Sequence, residues 1–209
     1  MQLMAGILAA LGWSALILQF RLVLGVNASA GIGVGETLVR FFSYFTILTN
    51  TLAAVVLTGV MLGHTRTFLT RPKVQTAVAV YITVVCAVYF LILRHLWQPQ
   101  GPQWLADTLL HYVMPALYVL FWLCFVRKDT IAWRDSLVWL VFPLAYLGAV
   151  LARGVPSKFY PYPFIDANEL GYLEIAKNSA VLFAAFLLAG LLYVAVSRFL
   201  RGKAGSVFS

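Results

Sequence analysis

Apolar residues run through this chain in six long blocks, and polar residues gather in the short stretches between them. The blocks cover roughly 4–26, 40–62, 74–96, 107–126, 135–153 and 172–197. Each approaches the ~20 mostly apolar residues that a helix needs to cross a bilayer, so the pattern predicts six membrane spans. The separators carry their own signals. Asn27 to Gly35 is Gly-rich, and Gln98-Pro-Gln-Gly-Pro reads as a loop. From Pro156 to Pro163, three prolines oppose the continuation of a helix. Six spans leave little of the 209 residues over. The expectation is an all-α membrane protein: one domain, 1–209, built as a six-transmembrane-helix bundle without a soluble module.

Composition supports that class, since 62% of the residues are hydrophobic and only 11% are charged, far from soluble averages. Charge then suggests an orientation. Arg66, Arg71 and Lys73 lie between spans two and three, Arg127, Lys128 and Arg134 between four and five, and Arg198, Arg201 and Lys203 in the tail. Six spans put all three groups on one side. The excess of Lys and Arg in cytoplasmic loops makes that side, with both termini, cytoplasmic. The expected location is multi-pass in a membrane, the plasma (inner) membrane if the source is bacterial. The formal net charge of +8 is then mostly a topology signal with some affinity for anionic lipid heads. Divided among short loops, it gives no nucleic acid a continuous basic surface.

Other local signals change little. The uncharged start and long first apolar run argue against a cleaved signal, despite Ala28-Ser29-Ala30. Asn27-Ala28-Ser29 matches a glycosylation sequon that matters only in a eukaryotic host. Cys86 and Cys124 have no metal-ligand spacing and read as small core residues. Neither a metal nor a cofactor is expected.

What stands out is a polar set at one end of the spans: Ser43, Thr46, Asn50, Arg94, His95, Asp107, His111, Arg153, Glu174 and Lys177. In the six-span topology these positions share the outer leaflet. Ionisable groups within a bilayer usually face inward and usually work. Ser43, Thr46 and Asn50 are spaced i, i+3, i+7, which makes one stripe on a continuous helix. The stripe reads either as hydrogen-bonding glue between helices or as part of a site. Asp107 and His111 are four apart and can meet on one helix face. Asp107 either orients the imidazole, as in a catalytic triad, or caps the helix N-terminus; the two roles are compatible.

Arg21, Arg40, Arg94 and Arg153 fall near helix ends at the same level. Their default is to snorkel to the headgroups, but a cluster of Arg also suits a fatty-acid carboxylate. Glu174 and Lys177 are spaced to pair with each other. The aromatic and proline residues from Phe159 to Phe164 read either as an interface anchor or as a stiff lid.

Three short segments carry a resemblance. Tyr44-Phe45-Thr46-Ile47-Leu48-Thr49 resembles the aromatic-Leu-Thr segment of the androgen-induced integral membrane proteins, which hydrolyse fatty-acid esters of hydroxy fatty acids. Asp107-x-x-x-His111, followed by Pro115, is similar to that family's Asn-x-x-x-His run, and Tyr160-Pro161-Tyr162-Pro163-Phe164 looks like its Tyr-Pro-Phe loop. The resemblance implies a six-span bacterial relative with Thr46 as nucleophile and His111 as base. Ser43 is the fallback nucleophile, reached by an ungapped shift of three residues. The chain departs from the pattern in having Asp107 where the family has asparagine.

The function expected from residues and resemblance together is an intramembrane lipid ester hydrolase. Thr46 attacks, His111 moves the proton, and Asp107 orients His111. Asn50 or Ser43 stabilises the oxyanion, while Arg94, Arg153, Arg21 and Lys177 serve the substrate carboxylate. The partners implied are membrane lipids and a lipid or fatty-acyl ester substrate. A transporter or binding protein for a small anion or lipid is the alternative; neither a broken-helix pair nor an internal repeat in the sequence supports it. A haem or quinone protein would need paired ligands on facing helices. His64 lies on the opposite side from His95 and His111 in the predicted topology.

Overall fold

The computed structural model describes residues 1–64 and 67–206. Every regular element among them is helical. In chain order these are α1 (Gln2–Ser29), α2 (Val34–Phe41), α3 (Phe45–Met61), α4 (Pro72–Leu91), α5 (Gly101–Thr108), α6 (Met114–Phe125), α7 (Trp133–Val138), α8 (Val141–Ser157) and α9 (Gly171–Ser206). Short 3-10 turns occupy Phe68–Thr70, Leu93–His95 and Pro163–Ile165, and a π turn, Leu109–Val113, joins α5 to α6. By length and composition, five helical stretches among the described residues can cross a membrane, or six when α2 and α3 count as one bent span. Such a set of apolar helices is compatible with an integral multi-pass membrane protein. Arg66, one of the cations used above to orient the chain, lies outside the described residues, as does the Lys203 side chain.

The chain falls into two compact units, Met1–Val126 and Arg127–Ser209. In the first, α1 packs along α3, α3 beside α4, and α4 beside α6, while α1 also meets α5 and α6. A methyl group on Gly12 would come within 3.0 Å of the Met114 Cε and 3.4 Å of the Ala54 Cβ. Small residues at such crossings let backbones approach where lipid supplies no hydrophobic drive for association. Ala15, Leu16, Phe41, Ile47, Ala54 and Leu110 form a buried cluster from four segments of this unit. Gln2 packs on Gly63 at one end of the unit, and Asn27 donates to the Thr37 hydroxyl at 3.2 Å at the other.

Three expected boundaries change. The span expected at 40–62 is not one straight helix, because α2 and α3 meet at 81° across Phe42, Ser43 and Tyr44. Phe41 anchors the bend by packing edge-on against Phe20 at 5.2 Å, and Tyr44 is extended. The Ser43 hydroxyl closes back on the Val39 carbonyl at 2.7 Å, a local bond that competes with helix continuation. The span expected at 107–126 starts earlier, at Gly101, with Pro102 in its first turn, where a missing amide is harmless. Finally, α8 continues through Pro156 to Ser157 and is capped by Lys158, whose φ of 54° is left-handed.

In the second unit α7 packs on α9, and the 3-10 turn Pro163–Ile165 lies against α9 as well. Arg201 donates to the Asp129 carbonyl at 2.9 Å, and Arg198 sits over the Trp133 ring at 5.7 Å. The cationic end of α9 and the cationic 127–134 loop therefore share one end of this unit. Beside Asp129, the Arg127 guanidinium holds its carboxyl below the usual carboxylate range. The proline-aromatic loop is pinned on both sides: Asn168 donates to the Lys158 carbonyl at 3.1 Å and Asn178 to the Phe164 carbonyl at 3.0 Å. The Tyr160 ring lies directly on Gly154, in space that any Cβ would take. Gly154→Ala should therefore expel the Tyr160 ring and lower stability by about 1–3 kcal/mol. Thermal unfolding in detergent would measure the loss, and an unchanged melting temperature would contradict the packing described.

Candidate active site

The site is built around a helix that cannot finish its own ladder. In the π turn the Met114 amide bonds the Leu109 carbonyl, five residues back. The next rung would join residue 115 to Leu110, but residue 115 is proline and has no N–H. A buried carbonyl without a donor is costly in an apolar bundle. The donor comes from α3, where the Asn50 Nδ2 reaches the Leu110 carbonyl at 3.1 Å. The wide turn carries His111 and touches α1, α3 and α4.

Thr46 is the second residue of α3, immediately after the sharp bend, and it is 7% exposed. Its Oγ1 lies 3.3 Å from His111 Nε2, although the two are 65 positions apart in the chain. On the other side of the ring, Nδ1 is 3.0 Å from the Asp107 main-chain carbonyl and 3.3 Å from the Asp107 Oδ1. Both neighbours of Nδ1 accept only, so in the neutral ring Nδ1 carries the hydrogen. Nε2 then presents its lone pair to Thr46, and the threonine hydroxyl donates to it. Hydroxyl, imidazole and carboxylate thus stand in the order of a nucleophile, a base and its orienting group. Asp107 is inside the helix that begins at Gly101, so its expected role as an N-terminal cap does not hold.

Tyr89, near the end of α4, was not picked out by spacing or composition. Its ring stacks on His111 with centroids 4.0 Å apart and planes 19° apart, and its hydroxyl lies beside the Asp107 carboxylate. Tyr112 meets Tyr89 edge-on at 5.3 Å. The imidazole is held at both nitrogens and on one face, with 13% of its side chain exposed.

The remaining candidates divide. Asn50 is fully buried one turn along α3 from Thr46, and its Nδ2 also donates to the Thr46 carbonyl at 2.9 Å. Both of its amide hydrogens are committed to carbonyls, so the expected oxyanion role for Asn50 fails. Ser43 lies in the bend, not on the α3 stripe, and its hydroxyl donates to Val39; as nucleophile or oxyanion donor it is disfavoured for the same reason. Arg21 is exposed on α1. Arg94 is exposed too, stacked on Phe90 at 3.7 Å and donating to His95 Nε2 at 3.2 Å. In the second unit, Arg153 sits over Phe159 at 5.3 Å and Lys177 pairs with Glu174 at 2.6 Å. No group of three or more His, Cys, Asp or Glu placed to hold a metal occurs among the described residues.

Nitrogen-15 NMR of histidine-labelled protein should find His111 as the Nδ1–H tautomer in its neutral form. An Nε2–H tautomer would contradict the geometry. Compared with known proteins, the chain matches no family model, no curated protein and no solved structure.

Proposed function

We propose that the protein is an intramembrane lipid ester hydrolase with Thr46 as nucleophile and His111 as general base. One observation carries this reading: Thr46 Oγ1 lies 3.3 Å from a ring nitrogen whose opposite nitrogen is backed by Asp107. A threonine hydroxyl is a weak nucleophile by itself and needs such a base. As Oγ1 attacks the ester carbonyl carbon, Nε2 takes the hydroxyl proton. The tetrahedral intermediate collapses to a threonyl ester, and the departing alkoxide receives that proton. Water then repeats the sequence, with Nε2 accepting its proton and returning it to Oγ1 as the acid leaves. The transient imidazolium is stabilised by the Asp107 carboxylate at 3.3 Å. Thr46 stands in the first turn of the 17-residue α3, where the positive end of the helix dipole favours negative charge developing on oxygen.

The surroundings suit a lipid. The pair belongs to a bundle of long apolar helices, so an acyl chain and its ester approach through the same medium. In this reading the protein is a bacterial-type relative of the androgen-induced integral membrane proteins and acts in the plasma membrane. Both termini and the cationic loops lie in the cytoplasm, and Thr46 and His111 work in the outer leaflet. Arg21 and Arg94 are the first-unit cations able to hold a substrate carboxylate near the headgroups.

A second reading gains one observation. The 81° break between α2 and α3 is of the kind that transporters use at their binding sites, and a transporter for a small anion or lipid would keep Thr46 and His111 as a polar gate. Flux into liposomes without turnover would favour it.

With purified protein and a p-nitrophenyl fatty ester, Thr46→Ala and His111→Ala should each lower kcat by about 10²–10⁴-fold. A fluorophosphonate probe should label Thr46 in the wild type. Ser43→Ala should stay within about threefold, because the Ser43 hydroxyl is engaged by Val39. Asp107→Asn should cost about 10-fold, far less than in a serine protease triad, since the Asp107 main-chain carbonyl still sets the tautomer. Full activity in both alanine variants would sink the hydrolase. For topology, tags at both ends should be reachable only from the cytoplasmic face; a periplasmic tag at either end would reverse the assignment.

A further inference from the structure

Asn50 joins the two halves of the candidate catalytic pair through a single side chain. It lies fully buried on α3, and its Nδ2 donates to two main-chain carbonyls, Thr46 at 2.9 Å and Leu110 at 3.1 Å. One belongs to the nucleophile, the other to the residue next to the base. The first bond stays within α3 and fixes the Asn50 side chain. The second crosses to the π turn and meets the carbonyl that Pro115 leaves without its donor. The amide orientation is not interchangeable: an oxygen at the Nδ2 position would face two acceptors. Holding this orientation leaves the Asn50 Oδ1 buried and without a partner among the described residues. Leaving such an acceptor unpaired in an apolar interior is costly, so the side chain is placed for its donors.

Apolar packing alone brings α3 and the π turn together: Ile47 and Leu110 share one buried cluster. Packing of this kind tolerates small sliding. A hydrogen bond at 3.1 Å does not, and Thr46 Oγ1 and His111 Nε2 are already at 3.3 Å. A slip of about 1 Å at such a site can cost on the order of 10²-fold in rate.

We propose that Asn50 is the positioning residue of the Thr46–His111 pair, locking the turn that bears the hydroxyl to the turn that bears the imidazole. The catalytic part of this proposal rests on the hydrolase reading above; the lock itself does not. Asn50 touches no reacting atom. It acts through the Leu110 carbonyl, and Pro115 is the reason that carbonyl is available.

Three variants of the full chain test the lock. Asn50→Leu removes both bonds. Asn50→Ser can keep a bond to the Thr46 carbonyl within its own helix but is too short to reach Leu110, and it disturbs folding least. Pro115→Ala returns an N–H to the π turn, which gives the Leu110 carbonyl a donor of its own. The first measurement is the nitrogen-15 spectrum of His111 in a His64→Gln/His95→Gln background, where it is the one remaining imidazole. Asn50→Ser should shift the Nε2 resonance toward that of a nitrogen without a hydrogen bond, and Asn50→Leu should do the same. The second is hydrolysis of the p-nitrophenyl fatty ester. There Asn50→Ser should lower kcat by about 10–100-fold and leave KM within about threefold. In a Pro115→Ala background, where Leu110 has a donor within its own turn and no longer depends on Asn50, Asn50→Ser should cost at least about threefold less in kcat than it does in the wild type, a coupling that unrelated structural damage would not produce. An unshifted His111 resonance in the folded Asn50→Ser protein would overturn the lock. Equal kcat losses with and without Pro115→Ala would overturn its route through Leu110. A shifted resonance in a protein whose wild type hydrolyses no ester would leave the lock standing and remove the hydrolase.

Discussion

Pro115 has no amide hydrogen, and much of the first unit follows from where that hydrogen would have gone. In water a missing donor is replaced by solvent. In an apolar bundle it must be replaced by protein. The chain relaxes into a π turn over Leu109–Val113, and single wide turns of this kind recur at functional sites. Leu110 is left to accept from Asn50 on a different helix. Within that wide turn, one absent hydrogen therefore calls for the cross-helix bond beside His111. Thr46 falls one helical turn from Asn50, so the same bond that satisfies Leu110 also places a hydroxyl next to the imidazole.

The polar groups divide by whether their partners come from the same helix. Arg94 finds Phe90 and His95 close by in sequence, and Lys177 finds Glu174. Each reduces its own cost locally, and each is exposed. Thr46, Asn50 and His111 draw partners from across the bundle and are largely buried. Local pairing at an exposed position contributes little to stability, and it says little about function. Cross-helix pairing in a low-dielectric interior is different. Each such bond constrains two elements at once, and removing one member leaves the other stranded.

The spans were legible because bilayer thickness imposes a length that apolar runs must meet. The Asp107–His111 relation was legible too, since it depends only on the period of one helix. Gly101 was less so: Pro102 is as good a first-turn residue as it is a loop residue, and nothing nearby in the sequence separates the two uses. The stripe of Ser43, Thr46 and Asn50 assumed a continuous helix, and the Ser43 hydroxyl ends that assumption by bonding Val39. The Thr46–His111 contact spans 65 positions and has no periodic signature; it was reached through resemblance. Tyr89 was missed because an aromatic residue near a span end reads as an interface anchor. Its stacking on His111 depends on how α4 meets the π turn.

The bend before α3 bears on how a buried pair could meet both lipid and water. A continuous helix through residues 40–62 would have placed Thr46 part-way along a smooth apolar rod, with its amides spent in the ladder. With α2 turned away by 81°, Thr46 stands instead in the first turn of α3. There the field of the helix opposes no negative charge and the chain before it is already leaving the helical direction. Hydrolysis needs an ester delivered from the lipid side and a water delivered from the polar side at the same atom. The imidazole beside this helix start keeps 13% of its side chain exposed, and in the proposed hydrolase that opening is where the two would meet. A pair sealed in mid-helix offers no such opening, and would be read more economically as packing glue. In the proposed hydrolase the bend, more than the identity of the residues, is what would separate a reactive hydroxyl from a structural one.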